Sequence, residues 1–303
     1  MANIKEIKNR INSVKDTQKI TNAMYLISST KMRKAKGELD KTRPYFALLQ
    51  GEIKRIFRTV GDVENKYFYP ADGSPIADGA YGCLVITADK GLAGAYNLNV
   101  IKEAEKLRRE NKDTKFLVVG EYGRQYFQQH RIPIERSFLY TAQNPTMERA
   151  REISSILLEM FDRGEVKKMF VIYTDWKNSL SEQVVITRLL PFHRAQFMAP
   201  PSTEKQVTTG FEFFPSVEAV LDNMMQSYVS GFIYSALVDS FCSEQNARMT
   251  AMDSANQNAE RILSELSVQY NRVRQAAITQ EITEVSAGAK AQKRKRRKEA
   301  GIL

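Results

Sequence analysis

Proline and glycine are nearly missing from the two ends of this chain. Residues 3–36 contain neither, residues 216–287 contain only Gly231, and all nine prolines lie between Pro44 and Pro215. Because proline removes a helical hydrogen bond and glycine carries an entropic cost, two breaker-free stretches of this length predict two long helices. We expect these helices to pair with each other, and the residues between them to form a separate compact body.

Cysteine, histidine and long apolar runs are also scarce. Cys83 and Cys242 are too few and too scattered for a disulfide framework or a zinc site, so we predict that both are buried small hydrophobes. His130 and His193 have no metal-type partner at a useful spacing. No run of about eighteen apolar residues is present to span a bilayer, and charges at residues 5–8 replace an apolar secretory segment. We therefore expect no cofactor, no metal and no direct insertion into a bilayer.

Apolar residues recur with a three-and-four spacing in both terminal stretches, as they do in a coiled coil. In the N-terminal stretch the repeat is Ile4, Ile7, Ile11 and Val14, continued by Gln18, Thr21, Tyr25, Ser28 and Met32. In the C-terminal stretch it is Met252, Ala255, Ala259, Ile262, Leu266, Gln269, Val273, Ala276 and Gln280. We call these positions the seam. Because many of them are small or polar, the seam predicts a close helix pair with a weak apolar grip, whose outer faces also meet another molecule.

Charge differs in sign between the two stretches. Residues 1–36 carry nine Lys and Arg against two acids, a net charge of +7, whereas residues 216–287 carry four Arg against nine acids, a net charge of −5. Opposite charges favour pairing of the two helices over self-association, although each exposed pair contributes only about 0.3–0.5 kcal/mol. Charge therefore sets the choice of partner more than the stability.

Strands and helices alternate in the middle of the chain, which predicts a mostly parallel sheet with helices on its faces. Short apolar runs predict strands at residues 83–87, 116–119, 169–173 and 184–190. Helices are predicted at residues 98–110, in a piece ending at 128, and at 147–163. Pro44 is expected to bend or end the first helix, with a further helical piece over 45–60. Residues 61–80 and 200–210 are expected to be surface loops.

The loop Ala88–Asn97, with the sequence ADKGLAGAYN, follows the first predicted strand and precedes a helix. An α/β fold binds phosphates at this position. The loop contains Gly91 and Gly94 but matches neither glycine-rich nucleotide template, so we interpret the glycines as allowing a tight turn, with Asp89 and Lys90 solvated. The chain shows no catalytic triad, no paired carboxylates and no metalloprotease motif. Nothing in it argues for an enzyme.

Three segments resemble the gamma subunits of F-type ATP synthases, namely Ile4–Lys36, Ala88–Asn97 and Ala247–Ala289. The runs TQKITNAM, KMRKAK and NRVRQAAITQEITE are the most specific parts of the resemblance. It implies an α/β fold in which a long antiparallel coiled coil of the terminal helices stands on a Rossmann-like domain with a mostly parallel sheet. The implied divisions are residues 1–60 and 215–289 for the two helices, 61–214 for the Rossmann-like domain, and 290–303 for a basic tail.

The same resemblance implies a function. It predicts a subunit that is not catalytic by itself, the central-stalk rotor that turns inside a ring of three alpha and three beta subunits. The rotor would couple ion flow through the membrane sector to ATP synthesis or hydrolysis, with the coupling ion, proton or sodium, left open. The expected partners are the alpha, beta and epsilon subunits and the c-ring, and no nucleic acid. The expected location is the cytoplasmic side of a bacterial plasma membrane, as a peripheral subunit.

Seven positions match the contacts that the family makes with the ring. Met24 and Arg248 match positions where the rotor meets acidic loops of the beta subunits. The other five match polar contacts between the C-terminal helix and the ring: Arg274, Gln275, Thr279, Glu281 and Thr283. From the residues alone, an exposed position without a special role is the simpler interpretation of Thr279 and Thr283.

The run KAQKRKRRKEAGIL, residues 290–303, continues beyond the family pattern. Like-charge repulsion predicts a disordered tail here, either a simple extension or a contact for an acidic partner. The basic tail and the basic first helix also leave open a nucleic-acid-binding protein, although the acidic partner helix would repel phosphate. A third alternative, a nucleotide-binding α/β enzyme, would require ligand binding at Gly91 to Gly94.

Overall fold

The computed structural model describes residues 4–60, 65–70, 79–139, 142–178, 181–193, 197 and 212–299. The described elements are, in chain order, α1 (Ile4–Val60), β1 (Tyr81–Ile86), α2 (Tyr96–Glu110), β2 (Thr114–Val119), α3 (Glu121–Gln129), β3 (Ile134–Phe138), α4 (Met147–Asp162), β4 (Lys168–Asn178), β5 (Ser181–Leu190) and α5 (Val217–Glu299). They belong to two compact units. The described residues of 1–26 and 252–303 make the coiled-coil unit, and those of 27–251 make the sheet unit.

In the coiled-coil unit α1 and α5 run antiparallel. The amide of Gln18 donates to Glu260 over 3.5 Å, and the hydroxyl of Thr21 donates to Asn256, so residue numbers rise along one helix as they fall along the other. The predicted pairing is confirmed, because the seam positions of α1 and those of α5 up to Leu266 are all buried or half-buried. The same register places Ile4 beside Val273. All described side chains from 278 to 296 are exposed, and we call this stretch the unpaired segment.

The sheet unit contains a five-stranded sheet in the order β3-β2-β1-β4-β5. The first four strands in this order are parallel, and β5 returns antiparallel to β4. This arrangement confirms the predicted mostly parallel, Rossmann-like sheet. The four predicted strands correspond to β1, β2, β4 and β5, and the three predicted helices correspond to α2, α3 and α4.

Both faces of the sheet are covered, which explains why its strands read as nearly continuous apolar runs. Leu84 and Ile86 of β1 face a core that includes α4, the end of α1 and the first part of α5. Cys83 and Val85 point the other way, into a core with α2 and α3. Alternate residues of one strand therefore serve two different cores. Cys83 and Cys242 are both buried, as predicted.

Two backbone features allow α1 and α5 to pack closely in the sheet unit. Gly231 lies against Phe46, and a Cβ at this glycine would overlap the phenyl ring. The only glycine of residues 216–287 is therefore required by packing. Helix α1 also continues through Pro44 without ending there, so the helical piece predicted over 45–60 belongs to the same helix, whose last turns are anchored in the core by Ile53, Ile56 and Phe57. Tertiary packing here outweighs the cost of one helical proline.

Several other predictions differ from the structure. Strand β3, with the sequence IERSF, was not predicted because it is an edge strand with few apolar residues. The predicted surface loop 61–80 contains Tyr67 and Phe68, both buried, and Phe68 forms a bridge with Phe192. The predicted loop 200–210 lies outside the described residues.

The compact units divide the chain differently from the predicted segments, whose limits stay a prediction. The sheet unit extends over 27–251 because the second part of α1 and the first part of α5 pack on the sheet. Helix α5 continues to Glu299, where the sequence predicted a disordered tail from 290. Lys, Arg, Gln and Ala are good helix formers, so local propensity here outweighs the repulsion between like charges.

Candidate partner-contact sites

The five predicted contact residues of the C-terminal helix are all exposed, on or next to the unpaired segment. Their side chains make only local bonds, since the Thr279 hydroxyl donates to the Gln275 carbonyl at 2.9 Å and the Thr283 hydroxyl to the Thr279 carbonyl at 2.7 Å. At about 100° per residue, Gln275, Thr279 and Thr283 follow one side of the helix and Arg274 and Glu281 another. The structure thus leaves both polar rows available for a partner.

An apolar row lies between the two polar rows. Ile278, Ile282 and Val285 are 47%, 64% and 73% exposed. Their spacing of four and three residues places them on one stripe of the helix. No other described residue covers this stripe. The surface combines an apolar ridge with hydrogen-bonding margins, which is the composition of a protein-contact surface.

Met24 lies on α1 of the coiled-coil unit, where it is half-buried. Ile20, one turn earlier, is 62% exposed, and Leu26 is 58% exposed. The outer side of this helix therefore also presents apolar groups. These positions are compatible with a contact between Met24 and the beta subunits. That contact stays a prediction.

Arg248 has a different environment from the other predicted contact residues. Its side chain is only about 9% exposed and forms an ion pair with Glu244, which lies one turn earlier on α5. The guanidinium also donates to the carbonyl oxygens of Gly91 at 3.1 Å and Lys90 at 3.4 Å. Arg248 therefore connects α5 to the loop Ala88–Asn97. The contact with the beta subunits that the resemblance implies for Arg248 stays a prediction, and within this chain the side chain turns inward.

The N-terminus of α3 is a position that could attract a phosphate, and acceptor groups of residues 87–89 already occupy it. The first backbone N–H groups of α3 donate to this part of the chain: Glu121 to Asp89 Oδ1 at 3.0 Å, Tyr122 to the Ala88 carbonyl at 3.1 Å, and Gly123 to Thr87 Oγ1 at 3.0 Å. Gly120 makes the approach possible, because its φ of 95° and its contact with Thr87 leave no room for a Cβ. A helix N-terminus that attracts anions is thus occupied by internal acceptors.

Helix α5 covers the neighbouring strand end in the same way. The hydroxyl of Ser240 accepts from the Thr174 backbone N–H at 3.3 Å, and the hydroxyl of Ser243 donates to the Thr174 carbonyl at 3.4 Å. The eight residues 239–246 are all buried although most of them are polar. The sequence analysis did not predict that residues 239–246 pack against the sheet. The dense run of polar residues inside a helix without proline or glycine could have indicated this buried contact.

Glu244 is the titratable group most affected by this packing. Burial raises its pKa above the ordinary value, and the nearby charge of Asp89 adds to the rise. The positive charges of Arg248 and Lys31 oppose it. Arg248 therefore compensates the buried charge of Glu244, which also lies near the charge of Asp89.

Neither a metal site nor a membrane-spanning helix is present among the described residues. Over the described ranges, no group of three or more His, Cys, Asp or Glu side chains is arranged to hold a metal ion. Among the same residues, none of the helices combines the length and apolar character needed to cross a membrane.

The chain matches a family model described as ATP synthase over residues 3–292, so it is a subunit of that class of complex. It is 41% identical over 297 residues to the ATP synthase gamma chain of Acetivibrio thermocellus, covering 97% of this chain and 100% of the relative. It is 42% identical over 292 residues to that of Caldanaerobacter subterraneus subsp. tengcongensis, covering 94% and 98%. The chain belongs to the family of ATP synthase gamma chains.

A further relative and two solved structures extend these matches. The sodium ion specific ATP synthase gamma chain of Acetobacterium woodii is 34% identical, with 95% of this chain and 98% of the relative covered. A chain in the Euglena gracilis mitochondrial ATP synthase has a TM-score of 0.64 at 15% identity, covering 95% of this chain and 94% of that one. A chain in the Tetrahymena thermophila central stalk and c-ring has a TM-score of 0.53 at 23% identity, covering 78% and 99%. These structures support the fold, and the nucleic-acid alternative has no support among these matches.

Proposed function

We propose that this chain is the central rotor of an F-type ATP synthase. It turns inside a ring of three alpha and three beta subunits and couples ion flow through the membrane sector to ATP synthesis or hydrolysis on the beta subunits. The observation that carries the proposal is the unpaired segment, a helix whose apolar ridge and polar margins are exposed over 278–296. Local propensity forms a helix of this kind, and tertiary packing of its exposed faces is left to surrounding molecules.

Coupling in the proposed rotor depends on contacts that differ from one beta subunit to the next. Each rotational position of the rotor presents a different face to each beta subunit, and a contact that is better in one conformation than in another shifts that subunit toward it. The small and polar seam residues keep the helix pair narrow. The net charge of +7 on residues 1–36 attracts the acidic loops of the beta subunits.

The assignment of partners follows from the same proposal. Met24 and the five polar residues of α5 contact the ring, and the epsilon subunit and the c-ring bind elsewhere on the chain. The complex lies at a bacterial plasma membrane, with this chain on the cytoplasmic side. The chain has no catalytic role by itself, in keeping with the internal acceptors that occupy the N-terminus of α3.

Co-purification is the direct test. A tagged form of the chain, expressed with alpha, beta and epsilon subunits, is expected to yield a stable complex with ATPase activity. After reconstitution with the membrane sector, ATP should drive a membrane potential, which can be measured whichever ion is pumped. Failure of the tagged chain to retain alpha and beta subunits would contradict the proposal.

A further inference from the structure

The pair Glu244–Arg248 is unlike the other ion pair with the same spacing on α5. Both residues of the pair are 8–9% exposed, whereas Arg261 and Glu265 are each 64% exposed. Withdrawing two charges from water is costly unless further hydrogen bonds satisfy them. Here the additional bonds are those from Arg248 to the carbonyls of Lys90 and Gly91. The buried ion pair is therefore satisfied by hydrogen bonds to the backbone of the loop.

The backbone of the loop has an unfavourable conformation next to these bonds. Leu92 has a φ of 63°, in the left-handed region that non-glycine residues rarely adopt, and its side chain is 66% exposed. Such a conformation persists only when the surroundings fix it. The described fixing contacts include Arg248 on one side and Asp89 bonded to the start of α3. They also include Asn97, which accepts from the Ala88 N–H at 2.9 Å and donates to the Lys90 carbonyl at 3.4 Å.

We propose that Glu244 and Arg248 are positioning residues that hold the loop Ala88–Asn97 in this conformation, so that Arg248 acts on rotor coupling through the loop and not by touching the ring. We call the two residues the loop clamp. Glu244 orients the guanidinium, and the guanidinium fixes the two carbonyls. The inference rests on the proposed rotor function, since coupling is its functional readout.

The two roles of Arg248 differ in what they predict for Glu244. If Arg248 contacts the ring directly, Glu244→Ala frees the arginine and leaves the loop unchanged. If the two residues form a clamp, Glu244→Ala and Arg248→Met release the same loop. Their effects are then not additive, because residues that act through one network couple strongly.

The experiment uses the assembled complex and two measurements. Hydrogen–deuterium exchange reports on backbone amides of residues 88–97, and the ratio of ATP-driven membrane potential to ATP hydrolysis reports on coupling. Glu244→Ala and Arg248→Met are each expected to speed loop exchange about tenfold, equivalent to about 1.4 kcal/mol. Both should lower the coupling ratio, and the double variant should be no worse than Arg248→Met alone.

Conservative variants and matched controls accompany these changes. Glu244→Gln keeps an acceptor oxygen and Arg248→Lys keeps a positive charge, so both should assemble and restore part of the coupling and of the loop protection. Arg261→Met and Glu265→Ala remove an exposed pair of the same spacing and should leave both measurements unchanged.

The clamp is refuted if loop exchange in the variants equals that of the wild type, or if Arg248→Met lowers coupling while Glu244→Ala does not. If Arg248→Met and Glu244→Ala fail to assemble, the conservative variants decide on the same criteria. A wild-type complex that does not assemble or pump would instead contradict the rotor function.

Discussion

Gly231 is a position at which helix propensity and packing predict opposite effects. Replacing a helical glycine by alanine stabilises by about 1 kcal/mol when no contact interferes. The added Cβ at Gly231 would overlap three atoms of the Phe46 ring, and overpacking costs about 1–3 kcal/mol. Tyr45 packs edge-on against the same ring at 5.2 Å, which restricts its movement. We therefore take the upper part of that range and expect Gly231→Ala to destabilise the sheet unit by about 1–2 kcal/mol.

Urea unfolding of the full chain, followed by circular dichroism, measures this free energy. Gly51→Ala is the matched control, because Gly51 lies in α1 of the same unit, is exposed, and has open space around the position of a Cβ. We expect the control to stabilise by up to about 1 kcal/mol, so the two variants should differ by about 2–3 kcal/mol. Phe46→Leu should reduce the effect of Gly231→Ala. Equal stabilisation by both alanines would refute the packing explanation.

Three further predictions concern helix α5. Leu266→Ala, at a seam position only 7% exposed, should cost about 2–3 kcal/mol of unfolding free energy, whereas Val268→Ala, 68% exposed, should stay within about 0.5 kcal/mol. Because burial raises the pKa of Glu244, the folded chain binds that proton more tightly than the unfolded chain, and this contribution to stability falls as the pH rises above about 4.5. The free energy of unfolding of Glu244→Gln, measured across that pH range, should not show this fall, whereas that of the wild type should. Exchanging both Arg274 and Gln275 for alanine should leave unfolding unchanged and lower the coupling ratio, and wild-type coupling would count against their assignment.

The sequence was sufficient where burial imposes a regular pattern. Strands such as Cys83–Thr87 were recognisable because both faces of the sheet are covered, so nearly every residue is apolar. The terminal helices were recognisable from the absence of breakers, and their pairing from the seam. The contacts predicted for the exposed polar residues of α5 rest only on a family resemblance, because exposed polar residues carry no signal of their own.

The remaining features depend on contacts between residues far apart in the chain. Nothing near Pro44 indicates that the helix continues through it, because the anchoring side chains lie nine and more residues later. Arg248 looks like an exposed helical arginine until the carbonyls of Lys90 and Gly91 are placed beside it. The edge position of β3 likewise cannot be read from IERSF itself.

Substitutions in the unpaired segment affect different properties from substitutions in the core. Its side chains from 278 to 296 are exposed and have no packing partner among the described residues, so we expect that exchanging them leaves the folded units nearly unaffected. A defect caused by a substitution there therefore reports on assembly or motion, free of the folding losses that complicate substitutions in the core.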